Sequence, residues 1–213
     1  MTEVASIETD GPDAARATFE RCVGEGGVAI FPADTLYGLA CDPLNAKAIE
    51  GIHAIKGRDE GKPSAVMYFA PLAMRELVSG LGPRTRDALA ALLPGSVTLV
   101  VANPEHRYPL ACREDPERLG VRLIEGPLAG AMTPIFQTSA NRSGTPAPTR
   151  FDQIDEQILA AADLAIDAGE LIGEPSTVVD VTAIDADGRW RILRDGALPA
   201  TEVDRRLAST AAG

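Results

Sequence analysis

The 213-residue chain is 45% apolar and 24% charged, the balance of an ordinary globular protein, and it is long enough to bury one well-formed core. Its formal net charge of −11 argues against a broad nucleic-acid-binding or membrane-binding face, either of which needs a basic excess, while a local basic pocket is still allowed. Cys22, Cys41 and Cys112 form no CxxC and no zinc spacing, and His53 and His106 are the only histidines, so the expectation is reduced, buried thiols, no His-rich metal site and no histidine-dependent acid–base catalysis.

The opening Met1-Thr2-Glu3-Val4 is acidic and lacks the basic and apolar regions of a signal peptide, and no window is apolar enough to span a bilayer. A cytoplasmic chain without membrane contact is expected, which sets aside the glycosylation-like Asn141-Arg142-Ser143. Residues 4–8 read as a short edge strand. Pro12 then opens a helix whose apolar face is Ala15, Phe19, Cys22 and Val23, and Gly24, Gly26 and Gly27 end it. Val28 to Phe31 reads as a buried strand that Pro32 stops. Asp34, Thr35 and Tyr37 follow at that strand end, where polar side chains tend to face a cleft. Asn45 is a good N-cap for a helix carrying Ile49 and Ile52 on one face and ending at Lys56.

Ser64–Phe69 is a second strand, Pro71 and Pro83 start short helices, and Pro94-Gly95 makes a turn. Val97–Val101 is apolar on both faces and is expected at the centre of a sheet. Residues 103–118, with three prolines, read as a surface excursion. Leu119–Ile124 returns as a strand carrying Arg122, a charge that needs a partner or a cleft. Ile135–Thr138, Ala165–Asp167, Thr177–Val181 and Trp190–Leu193 are further strands, with helices over about 151–161 and over Glu202–Leu207. Strands and helices alternate irregularly, so a mixed, twisted sheet with packed helices is expected rather than a regular doubly wound fold.

Only three of the 20 basic residues are lysine, and Lys47, Lys56 and Lys62 all fall within one 16-residue window. Cations in a last helical turn commonly just complement the helix dipole. In an arginine-biased chain, however, lysines at 56 and 62 point to a need for a compact ammonium, because the two cations are not interchangeable around phosphate. The stretch from Gly57 to Lys62 is no P-loop: its glycine spacing is one residue short and Pro63 stands where Ser or Thr is needed. There is no GxGxxG after a strand, no GxSxG, and no SxxK to accompany Ser139-Ala140-Asn141. What remains is a set of polar groups at strand ends and helix termini: Thr35, Lys56, Arg58, Lys62, Thr98, Arg122, Ser139, Asn141, Ser176 and Arg194. Cations and hydroxyls without an obvious nucleophile or base stabilise anions and position reactants, as phosphoryl and nucleotidyl transfer require.

The stretches Pro32–Leu39 (PADTLYGL), Lys56-Gly57-Arg58, Lys62-Pro63, Pro94–Leu99 (PGSVTL), Val121-Arg122, Thr138–Gly144 (TSANRSG), Ser176–Asp180 (STVVD) and Ile192–Gly196 (ILRDG) follow one another in an order that closely resembles the YrdC-like threonylcarbamoyl-AMP synthases. The likeness covers about residues 10–200, leaving an N-terminal segment at 1–9 and a C-terminal helix and tail at 201–213. It implies an α/β domain whose twisted, mixed to antiparallel sheet is flanked by helices around a deep concave cleft. It implies as well that L-threonine, bicarbonate and ATP react to L-threonylcarbamoyl-adenylate and pyrophosphate, a nucleotidyl transfer that serves tRNA N6-threonylcarbamoyladenosine (t6A) modification. By position, Lys56, Arg58, Lys62, Ser139, Asn141, Ser176 and Arg194 then belong to the ATP site, with Lys56 and Arg58 on the phosphates and as the catalytic pair. Thr35, Thr98 and Arg122 belong to the threonine end. Magnesium would ride on the ATP phosphates, with no metal ligands from the protein. The expected partners are the t6A transfer proteins and, weakly, tRNA.

Ala33 stands where the family usually has Thr, Ser96 and Asp195 where it has Pro, and Met67 where many members have His. The proline usual soon after the arginine at 122 is also out of place. These departures bear on the amino-acid end more than on the nucleotide end. Two alternatives compete with the synthase: an RNA-binding accessory protein, which the net charge disfavours, and a diverged paralogue or carbamoyl-transfer domain with another acceptor.

Overall fold

The computed structural model describes residues 1–57 and 63–210. Among them, β1 (Glu3–Ser6), β2 (Ala29–Pro32), β3 (Tyr37–Cys41), β4 (Val66–Tyr68), β5 (Val97–Ala102), β6 (Arg118–Leu123), β7 (Ile135–Ser139), β8 (Leu164–Asp167), β9 (Thr177–Asp180) and β10 (Arg191–Arg194) build one sheet in the order β1-β8-β2-β3-β7-β4-β6-β5-β9-β10. Four neighbouring pairs are parallel (β1 with β8, β2 with β8, β4 with β6, β5 with β9) and five antiparallel. The sheet is therefore mixed, as expected. The helices are α1 (Ile7–Asp10), α2 (Pro12–Gly24), α3 (Ala46–Lys56), α4 (Arg75–Ser79), α5 (Pro83–Leu92), α6 (Pro109–Cys112), α7 (Glu156–Ala161), α8 (Ile184–Asp187) and α9 (Ala200–Thr210).

Local chemistry fixes the ends of these elements. Pro12 and Pro83 occupy first-turn positions, where the missing N–H costs nothing, and the Asn45 side chain accepts from the Ala48 N–H to start α3. Gly57, left-handed at φ 57°, ends it. The expected helix over 151–161 is broken in two, because Asp155 caps a new start with bonds from Gln157 and Ile158. The expected strand over 4–8 stops at Ser6, whose hydroxyl caps α1.

β3 escaped the sequence pattern. Its five residues are all buried, so they show no alternation, and Gly38 interrupts them for a packing reason. A Cβ there would meet the Phe31 ring at 2.8 Å and the Thr138 carbonyl at 3.1 Å. Val97–Val101 is an interior strand, as expected: β5 pairs with β6 on one side and with β9 on the other, two strands from the sheet edge. It reads as apolar on both faces because Val97, Leu99 and Val101 enter the core while Thr98 and Val100 face a cavity.

Alternation sorts the side chains into two layers. One face packs Ile30, Leu39, Val66, Tyr68, Leu99 and Val121 against α3, α5, α7 and α9. The other carries a smaller cluster in which α2 covers Phe31, Met67 and Ile135 through Ala15, Phe19 and Val23. The three cysteines are buried and unpaired, and burial pushes the Cys22 and Cys112 thiols up to about 11 and that of Cys41 to about 12.

Candidate active site

Met67 and Arg122 are register partners on β4 and β6 and so share a face of the sheet. Met67 lies in the cluster under α2, and one strand further on, at Arg122, the same face opens into a cavity of about 730 Å³. Thr98, Val100, Gly120, Arg122, Gln137 and Val178 form its floor from β5, β6, β7 and β9. The turn at Thr35, the segment 139–145 and the Ser176–Arg194 corner are its walls. Eight of the ten residues expected from sequence line this cavity: Thr35, Lys56, Thr98, Arg122, Ser139, Asn141, Ser176 and Arg194. The other two, Arg58 and Lys62, lie outside the described residues.

Arg122 is buried, and among the described residues its Nε and Nη2 have no hydrogen-bond partner. The Asp34 carboxylate holds Oδ2 3.9 Å from Nη2, beyond hydrogen-bond length. Burial pushes this guanidinium down to about 10, with Asp34 pulling it back up and Arg194 pushing it further down. Nε and Nη2 are the two adjacent donors with which an arginine grips a carboxylate in bidentate fashion. A buried fork of this kind, left without a partner, favours an anion beside it.

Lys56 is also buried, but its ammonium is engaged. Nζ donates to the backbone carbonyls of Ser139 and Asn141 (2.6 Å for the latter) and reaches Asn141 Oδ1 at 3.3 Å. Among the described residues these contacts draw the ammonium toward three oxygens of the 139–141 segment. The Lys56 carbonyl in turn accepts from the Ser143 N–H, and Asn141 Nδ2 donates to the carbonyls of Arg142 and Thr145. The end of α3 therefore holds the 139–145 wall in place, and the side chain of Asn141 serves that wall from within. Both residues line the cavity that the sequence reading expects to take a nucleotide.

A second network links β5, the residue before β9, and β10. Thr98 Oγ1 and Ser176 Oγ are 3.0 Å apart, and Arg194 donates through Nη2 to the Ser176 carbonyl (2.7 Å) and hydroxyl (3.2 Å) and through Nε to that carbonyl. A register shift in β10 against β9 lets both Leu193 and Arg194 line the cavity, where strict alternation would turn one of them away. Gly196 then lies directly on the Pro175 carbonyl and the Ser176–Thr177 backbone, leaving no room for a Cβ.

Sequence reading missed Arg118, which lines the cavity and is steadied by Asp115 at 3.2 Å and by the buried Asp180 at 2.9 Å. The available signal was the period of two: Arg118, Gly120 and Arg122 share one face of a single strand. Neither histidine belongs to the lining; His53 packs against the Phe136 ring and His106 pairs with Glu117. Met67 sits in the apolar cluster, directly beside Arg122 on the neighbouring strand.

A family model described as "Telomere recombination", for the Sua5/YciO/YrdC domain, matches residues 21–196. The chain belongs to the Sua5/YciO/YrdC family. Relatives in it include a threonylcarbamoyl-AMP synthase of Pyrococcus abyssi, 31% identical over 86% of this chain and 54% of the relative. Another is the threonylcarbamoyl-AMP synthase of Bacillus subtilis, 27% identical over 93% of this chain and 57% of the relative. The crystal structure of P. abyssi Sua5 complexed with L-threonine matches with a TM-score of 0.81 at 27% identity, over 97% of this chain and 60% of that one. The chain thus spans a little over half the length of these Sua5/YciO/YrdC relatives, and the mixed sheet flanked by helices is the part it shares with the solved one.

Proposed function

We propose that the cavity is the site of an L-threonylcarbamoyladenylate synthase, a nucleotidyltransferase acting on L-threonine, bicarbonate and ATP. The observation that carries this reading is the buried, unpartnered Nε–Nη2 fork of Arg122, which calls for a carboxylate at the floor of a cavity otherwise lined by hydroxyls and cations. Relatives named threonylcarbamoyl-AMP synthase and a relative holding L-threonine supply the candidate carboxylate. Threonine would place its carboxylate on Arg122 and its side chain toward Thr35 and Thr98. Its amine and bicarbonate would give a carbamate with loss of water. A carbamate oxygen would then attack the α-phosphorus of ATP as the bond to the β-phosphate oxygen breaks, releasing pyrophosphate.

For the nucleotide we assign the opposite wall: Arg194 with Ser176, the segment 139–145 braced by Lys56, and Arg58 and Lys62 from the adjoining stretch. Such groups position the reactants and stabilise charge rather than exchange protons, in keeping with a lining that lacks histidine. Among the described residues no group of three or more His, Cys, Asp or Glu is arranged to hold a metal ion, so we assign magnesium to the incoming ATP phosphates. No helix among the described residues is long and apolar enough to cross a membrane, and we place the reaction in the cytoplasm, upstream of proteins that transfer the threonylcarbamoyl group to tRNA. The test is pyrophosphate release from ATP, scanned over amino acids. Release should require both threonine and bicarbonate, with serine slower by about tenfold for its missing methyl. Equal rates with and without bicarbonate would rule the reading out.

A further inference from the structure

Asp34 sits in an unusual place. It is the central residue of a γ-turn in which the Thr35 N–H bonds to the Ala33 carbonyl at 2.9 Å, and its φ of 73° is one that few residues other than glycine adopt without strain. The turn joins β2 to β3 and leaves the carboxylate Oδ2 3.9 Å from Arg122 Nη2, an ion pair stopped short of contact. Ser96 stops it. The hydroxyl of Ser96, one residue before β5, donates to that same Oδ2 at 2.7 Å. The Ser96 carbonyl is tied in turn to the Thr177 N–H on β9. Among the described residues nothing donates to Asp34 Oδ1. The site therefore holds an unpartnered cationic fork with a fixed carboxylate beside it, just behind the lining formed by Ala33, Thr35 and Arg122.

The consequence is a charge pattern that reads more than a carboxylate. A bare carboxylate on the Arg122 fork would sit beside the Asp34 carboxylate, and like charges that close repel. A zwitterion places its anionic half on the fork and offers its ammonium to Asp34, converting the repulsion into a charge-assisted hydrogen bond. We infer that Asp34 is the residue through which the cavity selects α-amino acids over other carboxylates, and that Ser96 is the positioning residue that holds it to that role. The inference rests on the amino-acid reading of the cavity given above and adds the group that recognises the amine.

The test compares L-threonine with 2,3-dihydroxybutanoate, which keeps the carboxylate and side chain but carries a hydroxyl in place of the amine, by calorimetry without ATP. The wild-type protein should bind threonine more tightly by on the order of a hundredfold. Asp34→Asn tolerates positive φ and should fold. It should shrink that ratio by about tenfold or more, chiefly by weakening threonine. Ser96→Ala keeps the charge but frees it, and should shrink the ratio by less. If Asp34 were only a counter-ion for Arg122, its loss would tighten both ligands together and leave the ratio unchanged, and that result would overturn the inference. So would an unchanged ratio in Ser96→Ala, which also serves as the test should Asp34→Asn not fold. A wild-type protein that binds neither ligand would sink the amino-acid reading itself and this inference with it.

Discussion

One face of the sheet carries two unlike surfaces, and the boundary between them is a single strand spacing wide. On one side Met67 lies under α2 with Phe19, Phe31 and Phe69, whose ring centroids are 5.5 to 6.0 Å apart. On the other its register partner Arg122 lines a cavity with two buried donors unmet. The opposite face supports both sides with one continuous apolar core, so the contrast is not one of backbone framework. It separates two uses of burial. The covered side removes apolar area from water and adds to stability, whereas the open side keeps a desolvated charge that opposes folding and favours an incoming anion.

The largest effect expected from this contrast is on stability in the covered side. Phe31 touches both other rings of the cluster and is fully buried, so Phe31→Ala should cost about 3–5 kcal/mol in chemical denaturation. The molecules that remain folded should keep their threonine affinity. A loss below about 1 kcal/mol would mean the cluster is not the stabilising half of the face.

The same comparison predicts the reverse at Arg122. Arg122→Met should lower turnover by on the order of a hundredfold if, as proposed, Arg122 grips the reacting amino acid. Stability should hold or rise by about 1–2 kcal/mol, since an apolar side chain of similar length replaces an unsatisfied buried charge. The sign follows from the depressed basicity: a base held near 10 in the folded chain and higher when unfolded opposes folding at every pH below about 10, and relief comes only as pH rises toward the unfolded value. A variant that loses stability as well as activity would show that Arg122 is a structural cation.

Much of this site was legible because strand chemistry repeats at fixed intervals. A charge at 122 within an apolar strand had to face a cleft, and the hydroxyls and cations at 35, 98, 139, 176 and 194 converge because the strands that end near them are neighbours or near neighbours in one sheet. What stayed hidden depends on partners distant in sequence. Nothing local distinguishes β3, buried on both faces, from a loop, and the register shift that brings Arg194 around is a property of the β9–β10 pair. The partners of Asp34 and Lys56 come from 62 and 83 residues away. Sequence chemistry could propose an ammonium at 56 that meets oxygens, but not that those oxygens belong to the protein.

That last point gives the smallest and most discriminating prediction. Lysine at 56 stands out because the chain uses so few lysines, and the structure supplies a reason for a compact ammonium: three oxygens of the 139–141 segment converge on it. A guanidinium is planar and larger, and cannot enter that space without moving the segment. Lys56→Arg should therefore lower turnover by about tenfold, because the displaced wall carries one side of the cavity, and should lower stability by about 1–2 kcal/mol through local overpacking. Lys47, exposed on the first turn of the same helix, meets no such constraint, and Lys47→Arg should change neither quantity. The two outcomes separate a brace from a direct phosphate contact. If Lys56 touched phosphate and did nothing else, Lys56→Arg would impair turnover with stability intact; if it braces the wall, the two losses appear together, and hydrogen exchange at the Ser143 N–H, bonded to the Lys56 carbonyl, should quicken in the variant.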